Sequence, residues 1–174
     1  MTILVSLSGL PGVGKTTLAK ELAAKVIAIH LRVDSVEAAL KNSSLRIHPA
    51  EEAGYLVIAS VAIDNLLLGF DVIADTVNPI DISRKLWAET ATAGEAHLLN
   101  VEVVCSDLSV HHDRVEKRES DIEGLVVPNW RKITSRIYEP WHEDRLIVDT
   151  SIDSIEKCAV IIADEMANLQ PTIS

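Results

Sequence analysis

The chain has 174 residues, 48% hydrophobic and 24% charged, an ordinary globular composition that supports a single domain spanning 1–174 with a real core. Asp and Glu outnumber Lys and Arg by 26 to 16, a formal charge of −10, and no basic run is interleaved with aromatics, which excludes a general nucleic-acid or anionic-membrane surface. The most apolar stretch, 55–63, is far too short to span a bilayer and no basic leader precedes the first strand, so a cytoplasmic protein with Cys105 and Cys158 reduced is expected.

Residues 3–8 (Ile-Leu-Val-Ser-Leu-Ser) form a short β-prone run that leads directly into Gly-Leu-Pro-Gly-Val-Gly-Lys-Thr-Thr at 9–17. Gly9, Gly14, Lys15 and Thr16 satisfy G-x-x-x-x-G-K-[ST]. Backbone N–H groups can surround a polyphosphate only where the chain coils without Cβ atoms in the way, and Gly9, Gly12 and Gly14 permit that, with Val13 and Thr17 completing the contact segment. Lys15 is placed to reach the β and γ phosphates and Thr16 to bind Mg²⁺, while the helix that starts there directs its positive end at the same anion. ATP and Mg²⁺ are the expected ligands.

That helix, 16–25, has an apolar face at Leu18, Ala19, Leu22 and Ala23. A second strand is predicted over 26–31, ending at 32–34, then a short helix over 35–41 and a long apolar helix from about 49 to 68 with Gly69 as its stop. A third strand follows at 72–75, a helix at 80–94, a fourth strand at 97–105, a polar helix at 109–119 and a loop at 121–128. Residues 130–138 read as helix, 146–149 as the fifth strand, and Asp153 with Glu156 as a capping box for the last helix. Five strands alternating with helices imply an α/β fold, a parallel sheet covered on both faces with ligands at the carboxyl ends of its strands.

The polar residues gather at those ends. Asp75, after Val-Ile-Ala, sits where an acidic residue holds Mg²⁺ directly or through water, or else it caps the turn. Thr76 follows it where an ATP-hydrolysing machine commonly has Glu, which argues for transfer to an acceptor other than water. Asp34 is either an N-cap or the carboxylate that orients an acceptor hydroxyl and takes its proton. Arg114 and Arg118, four apart, share one helix face and could stack on a base and clamp phosphates, or belong to a solvated charged face.

The 9–17 loop, Val33-Asp34-Ser35, Val72-Ile73-Ala74-Asp75 with Asn78, and Arg114 with Arg118 together resemble the small P-loop kinases of the adenylate kinase-like, five-stranded group. The resemblance is nearest to the AAA family ATPase or predicted kinase set, akin to gluconate kinase, adenylylsulfate kinase, chloramphenicol phosphotransferase and the kinase domain of polynucleotide kinase. It implies a three-layer P-loop NTPase fold with strand order 2-3-1-4-5 and a short mobile lid at about 119–131. It also implies an ATP-dependent phosphotransferase acting on a hydroxyl of a small-molecule acceptor. Lys15 and Asp34 would be catalytic, Arg114 would stack on the base, and Arg118, joined by Arg131 when the lid closes, would meet the transferring phosphate.

Two departures bear on the acceptor. Glu37 stands where polynucleotide kinase-like members often carry Arg, and 75–79 reads Asp-Thr-Val-Asn-Pro in place of the Asp-Gly-x-Pro-Arg of nucleoside monophosphate kinases, which disfavours a nucleotide acceptor. Asn78 and Arg84 either serve the acceptor or act as a loop cap and a helix-surface charge. The alternative from another class is a nucleotide-binding switch or an NTPase with no phosphoryl acceptor, although no Asn-Lys-x-Asp guanine signature occurs.

Overall fold

The computed structural model describes residues 1–47, 49–50, 52–123 and 125–170. Five parallel strands form one sheet in the order β2-β3-β1-β4-β5. They are β1 (Ile3–Ser8), β2 (Ile29–Arg32), β3 (Val72–Asp75), β4 (His97–Val104) and β5 (Leu146–Asp149). The helices are α1 (Lys15–Val26), α2 (Val33–Asn42), α3 (Ala53–Leu67), α4 (Asp81–Ala93), α5 (Leu108–Lys117), α6 (Trp130–Thr134) and α7 (Ile155–Leu169). This is the P-loop NTPase architecture. None of the described helices is long and apolar enough to cross a membrane.

Every residue of β1 is buried, as a central parallel strand covered on both faces requires. Alternation along it divides the core in two. Ile3, Val5 and Leu7 pack with Leu18 and Leu22 of α1 and Ile162 and Met166 of α7. Leu4 faces the other way and joins Ile58 and Leu66 of α3 and Trp87 of α4. Because each fully buried Leu or Ile contributes about 1.5–3 kcal/mol, both helix pairs are firmly seated and the carboxyl ends of β1, β2 and β3 are held in one row.

Several boundaries differ from the sequence expectation. The apolar run at 26–31 is split: α1 continues to Val26, Ile27 adopts a left-handed conformation (φ 55°) as its C-cap, and the strand begins at Ile29. A β-branched residue takes that conformation at a cost of about 1 kcal/mol or more, accepted here because the helix must end on the Ala28 N–H to Ala23 carbonyl bond. α2 begins at Val33, and α3 only at Ala53. The last helix is capped by Ser154, whose hydroxyl accepts from the Lys157 N–H (3.2 Å), while Asp153 pairs with the Lys157 ammonium at 2.6 Å.

The helix predicted over 130–138 stops at Thr134, because the following chain is captured by α4. Arg84 Nη2 donates to the Glu139 carbonyl (2.7 Å) and Nη1 to that of Pro140 (2.8 Å), the Glu139 N–H donates to Pro79 (2.8 Å), and Trp141 stacks on the guanidinium at 4.2 Å. Arg84, 3% exposed, is therefore neither an acceptor ligand nor a surface charge. Asn78 is corrected likewise. It is wholly buried at φ 46°, its Nδ2 donating to Ser6 Oγ (2.9 Å) and Ser8 Oγ (3.0 Å) on the Leu4 side of β1 and its Oδ1 accepting from Trp87 Nε1 (2.8 Å). Both side chains face inward because the β3–α4 turn must satisfy its polar groups without water.

Asn78→Leu removes the buried partner of Trp87 Nε1 and of two serine hydroxyls, so it should lower unfolding free energy by about 3 kcal/mol. Urea unfolding measures the change. A loss below about 0.5 kcal/mol would return Asn78 to the acceptor site.

Candidate active site

The loop between β1 and α1 is held from both sides of the sheet's centre. Gly9 (φ 135°) donates its N–H to the Val77 carbonyl beyond β3 (3.1 Å), and a Cβ on it would overlap the Val103 carbonyl oxygen of β4. Further along, the Val13 carbonyl accepts from Thr150 Oγ1 (2.7 Å), and its side chain is buried in the α1/α7 core. The Pro11 carbonyl lies 2.9 Å from His111 Nε2, which must carry a proton to make that bond. The coil delivers Lys15, only 9% exposed, with its ammonium donating to the carbonyls of Gly9 (2.7 Å) and Leu10 (3.0 Å).

Burial lowers the Lys15 pKa to about 8; Asp75 and Asp34 oppose the drop, and Arg118 and Arg136 add to it. An anion placed beside this ammonium would therefore relieve a desolvated charge. Asp75, at the end of β3 and 4% exposed, lies 3.3 Å from His30 Nε2 and shares the cavity wall with Thr16. Burial pushes its carboxyl up, but the His30 hydrogen bond, the Lys15 charge and the Thr16 hydroxyl together hold it below the ordinary carboxylate value. Thr76, next along the wall, is almost wholly buried with its hydroxyl donating to the Leu7 carbonyl at 3.1 Å, so that position offers the site no carboxylate.

A cavity of about 1300 Å³ opens over these groups. Its wall brings together Gly12, Gly14, Lys15, Thr16, Thr17, Asp75, Asp34, Arg114 and Arg118, as the sequence suggested. Asp34 lies in the first turn of α2, and the N-cap is Arg32, so Asp34 is not a cap. Arg114 is fixed by the Thr150 hydroxyl (2.7 Å) and carbonyl (2.9 Å), and Arg118 is the C-cap of α5. Arg131 is placed differently from its expectation: it is exposed on α6 and absent from the cavity wall. Its place is taken by Arg136, whose charge acts on Lys15, Glu37 and Tyr55. The early end of α6 is the reason, since it turns the chain into the site after Thr134.

Glu37, Tyr55 and Arg136 are site residues that sequence reasoning missed. Glu37 was within reach of it, being three residues from Asp34 on one helix face. Its carboxyl is half-buried and raised by that burial and by Asp34, with Arg136 opposing, and its stem lies where a Cβ on Gly54 would come within 2.8 Å of Cγ. Tyr55 gives no such signal. Its hydroxyl accepts from the N–H groups of Val77 (3.3 Å) and Asn78 (3.2 Å), a contact set by tertiary packing alone.

The segment predicted as a lid contributes residues to the cavity wall. Asp121 accepts from Lys20 (2.9 Å) and Arg32 (2.7 Å), bonds that hold its carboxyl far below the ordinary value, and Asn42 Nδ2 donates to the Glu123 carbonyl (3.2 Å). Leu125, Val126, Val127 and Pro128 complete the cavity wall. Gly124 lies outside the described residues.

The arrangement can hold a polyphosphate on one side and present a carboxylate, Asp34, on the other. Lys15→Ala should weaken nucleotide binding about 10- to 100-fold, the loss of a charge-assisted hydrogen bond of roughly 1.5–3 kcal/mol, with circular dichroism unchanged. Titration with a fluorescent ATP analogue checks it, and wild-type affinity in the folded variant would remove the loop from the site.

No curated protein sequence matches the chain. Among solved structures, APE1195 shares 24% identity at a TM-score of 0.76, covering 97% of this chain and 96% of that one. The Mycobacterium tuberculosis APS kinase CysC, in complex with AMPPNP and APS, shares 17% identity at 0.71 over 96% and 98%. A gluconokinase from Sinorhizobium meliloti 1021 shares 18% at 0.63 over 97% and 94%. At these identities the likeness is one of fold, and the fold is that of the small P-loop kinases. The family described as AAA domain matches residues 4–140, and with most of the chain inside that match the protein belongs to the AAA domain family of P-loop proteins.

Proposed function

We propose that the chain is a cytoplasmic, single-domain, ATP-dependent phosphotransferase that moves the γ-phosphoryl group to a hydroxyl of a small-molecule acceptor. The observation that supports this reading is that Lys15, Thr16, Asp75 and Asp34 line one cavity, with Thr76, its hydroxyl bonded to Leu7, where a water-activating carboxylate would stand. In this reading the loop amides take the phosphates, and Lys15 exchanges the carbonyls of Gly9 and Leu10 for β and γ oxygens. Arg114, held by Thr150, lies against the base.

The Thr16 hydroxyl and the Asp75 carboxylate, both in the cavity wall, are oxygen donors that would suit Mg²⁺, a hard cation. No cluster of three His, Cys, Asp or Glu fit for a metal ion occurs among the described residues, which is the pattern of a substrate-completed site and not of an all-protein cage. Thr16 and Asp75 would hold the ion, which would supply charge neutralisation to the polyphosphate. Asp34 accepts the acceptor's O–H proton as its oxygen bonds to the γ phosphorus and the bond to the ADP oxygen breaks. Arg118 and Arg136 supply positive charge to the transferring group.

The lining from α2, α3 and α4 narrows the acceptor. Asp34, Glu37, Glu52 and Glu89 stand there beside Leu56, Ile80, Ile82 and Leu86. Arg136 opposes them, whereas the Lys85 ammonium is held by Asp81 at 2.6 Å. A neutral or cationic hydroxyl compound with an apolar body fits this surface better than an anionic one.

Asp34→Asn keeps the shape and removes the base, so transfer should fall by about 10² to 10⁴ while ATP affinity stays within a few-fold. ADP release across a panel of nucleosides, sugars, aminoglycosides, chloramphenicol and adenylylsulfate identifies the acceptor for this test. Tight nucleotide binding with no ADP from any of them would favour a nucleotide-dependent switch. With an acceptor in hand, Arg136→Met should cut turnover by about 10²-fold and Arg131→Met by less than about twofold. Steady-state kinetics of the pair checks the placement, and the reverse order would restore Arg131 to the site.

A further inference from the structure

Arg32 is the last residue of β2, and its guanidinium lies between two carboxylates. Nη1 donates to Asp121 of the 119–131 segment at 2.7 Å, and Nη2 stands 3.7 Å from Asp34 Oδ2. The side chain is only 9% exposed, and its Nε is buried with no hydrogen-bond partner among the described residues. Asp121 in turn is shared with Lys20, an exposed side chain of α1 that makes no contact with Asp34. A buried cation with one donor unmet needs carboxylate oxygens close by, and here it has two sources that differ in one respect. Asp34 is part of α2, whereas Asp121 belongs to a stretch, 118–129, with no helix or strand among its described residues.

We infer that Arg32 is a positioning residue that couples the seating of the 119–131 segment to the availability of Asp34. With Asp121 seated, the guanidinium is drawn to it at 2.7 Å, and Asp34 at 3.7 Å keeps oxygen lone pairs free for an acceptor hydroxyl. When Asp121 leaves, Asp34 is the remaining carboxylate within reach of Arg32. A bidentate guanidinium–carboxylate pair occupies those lone pairs and leaves none for an acceptor hydroxyl. Asp34 is then silent until the segment returns. The inference rests on the reading of Asp34 as the group that takes the acceptor's proton.

The test needs no identified acceptor, because water accepts the phosphoryl group slowly when Mg²⁺ and ATP alone are present and this background hydrolysis reports on Asp34. Asp121→Asn should slow it about 10-fold with the KM for ATP within about twofold, and hydrogen exchange over 119–123 should accelerate. Arg32→Gln should hydrolyse at or above the wild-type rate, and the double variant should follow Arg32→Gln. A purely structural Arg32 would make the double variant at least as slow as Asp121→Asn, and that result overturns the coupling.

Lys20→Gln guards against a misfolded Arg32 variant, since it loosens the same segment from its exposed side and leaves Asp121 on Arg32. It should speed exchange while keeping hydrolysis within about twofold of wild type. Equal slowing in Lys20→Gln and Asp121→Asn would reduce the contact to a simple latch and refute the inference. Asp34→Asn in the same assay separates the two levels. If it hydrolyses ATP at the wild-type rate, the base assignment fails and the coupling with it; if it is slow while the double variant stays slow, the coupling alone fails.

Discussion

The site depends on the contact between Gly9 and the Val103 carbonyl. β1 runs between β3 and β4, and the chain leaving it must pass so near β4 that a side chain at position 9 would occupy the space of that oxygen. The same residue bonds to Val77 on the β3 side. With its entry fixed by both neighbours, the loop has one way to coil, and the ammonium of Lys15 ends on the Gly9 and Leu10 carbonyls while Thr16 joins Asp75 in the cavity wall. Any residue larger than glycine would move the start of α1 and with it the groups that face a phosphate chain.

The second half of the site hangs on polar groups that never touch a ligand. Asn78 fills the space beside Ser6 and Ser8, small residues on the side of β1 where Leu4 meets Trp87, and ties that tryptophan's N–H to the turn after β3. Its carbonyl accepts from Arg84 Nε (3.3 Å), whose other nitrogens bind the carbonyls of Glu139 and Pro140. Arg136 stands three residues before this clamp and so enters the cavity from an irregular segment anchored on its far side. A fully satisfied buried network of this kind specifies one geometry because every alternative strands a donor.

The sequence made the phosphate side legible because that chemistry is local. Nine consecutive residues carry the loop, and alternating strand and helix patterns carry the parallel sheet and the positions of Asp34 and Asp75, while the strand order came with the resemblance to the small P-loop kinases. Roles set by distant contacts were not legible. Asn78 and Arg84 are polar residues near strand ends, indistinguishable in sequence from ligands, and only the inward turn of the 78–84 region makes them structural. Arg131 and Arg136 lie on one short stretch, and which of them enters the cavity is decided by the carbonyls that Arg84 captures beyond α6. Ile27 failed as a strand residue for a related reason: the helix before it had no glycine at hand and ended on the residue available.

These features bear on one problem, the exclusion of water as a competitor for the phosphoryl group. The Thr76 hydroxyl is committed to the Leu7 carbonyl, so the position after Asp75 offers no carboxylate to activate water. Asp34 is the carboxylate left to do so, and it is 33% exposed in its side chain, which local geometry alone does not protect. Protection has to come from a group that moves with the acceptor's arrival. Arg32 is suited to that because its charge is permanent, it is buried beside the fixed carboxylate, and it is shared with a carboxylate on the segment that covers the cavity. A permanent cation between a fixed and a movable anion makes the reactivity of one depend on the position of the other, with no rearrangement of the sheet that carries them.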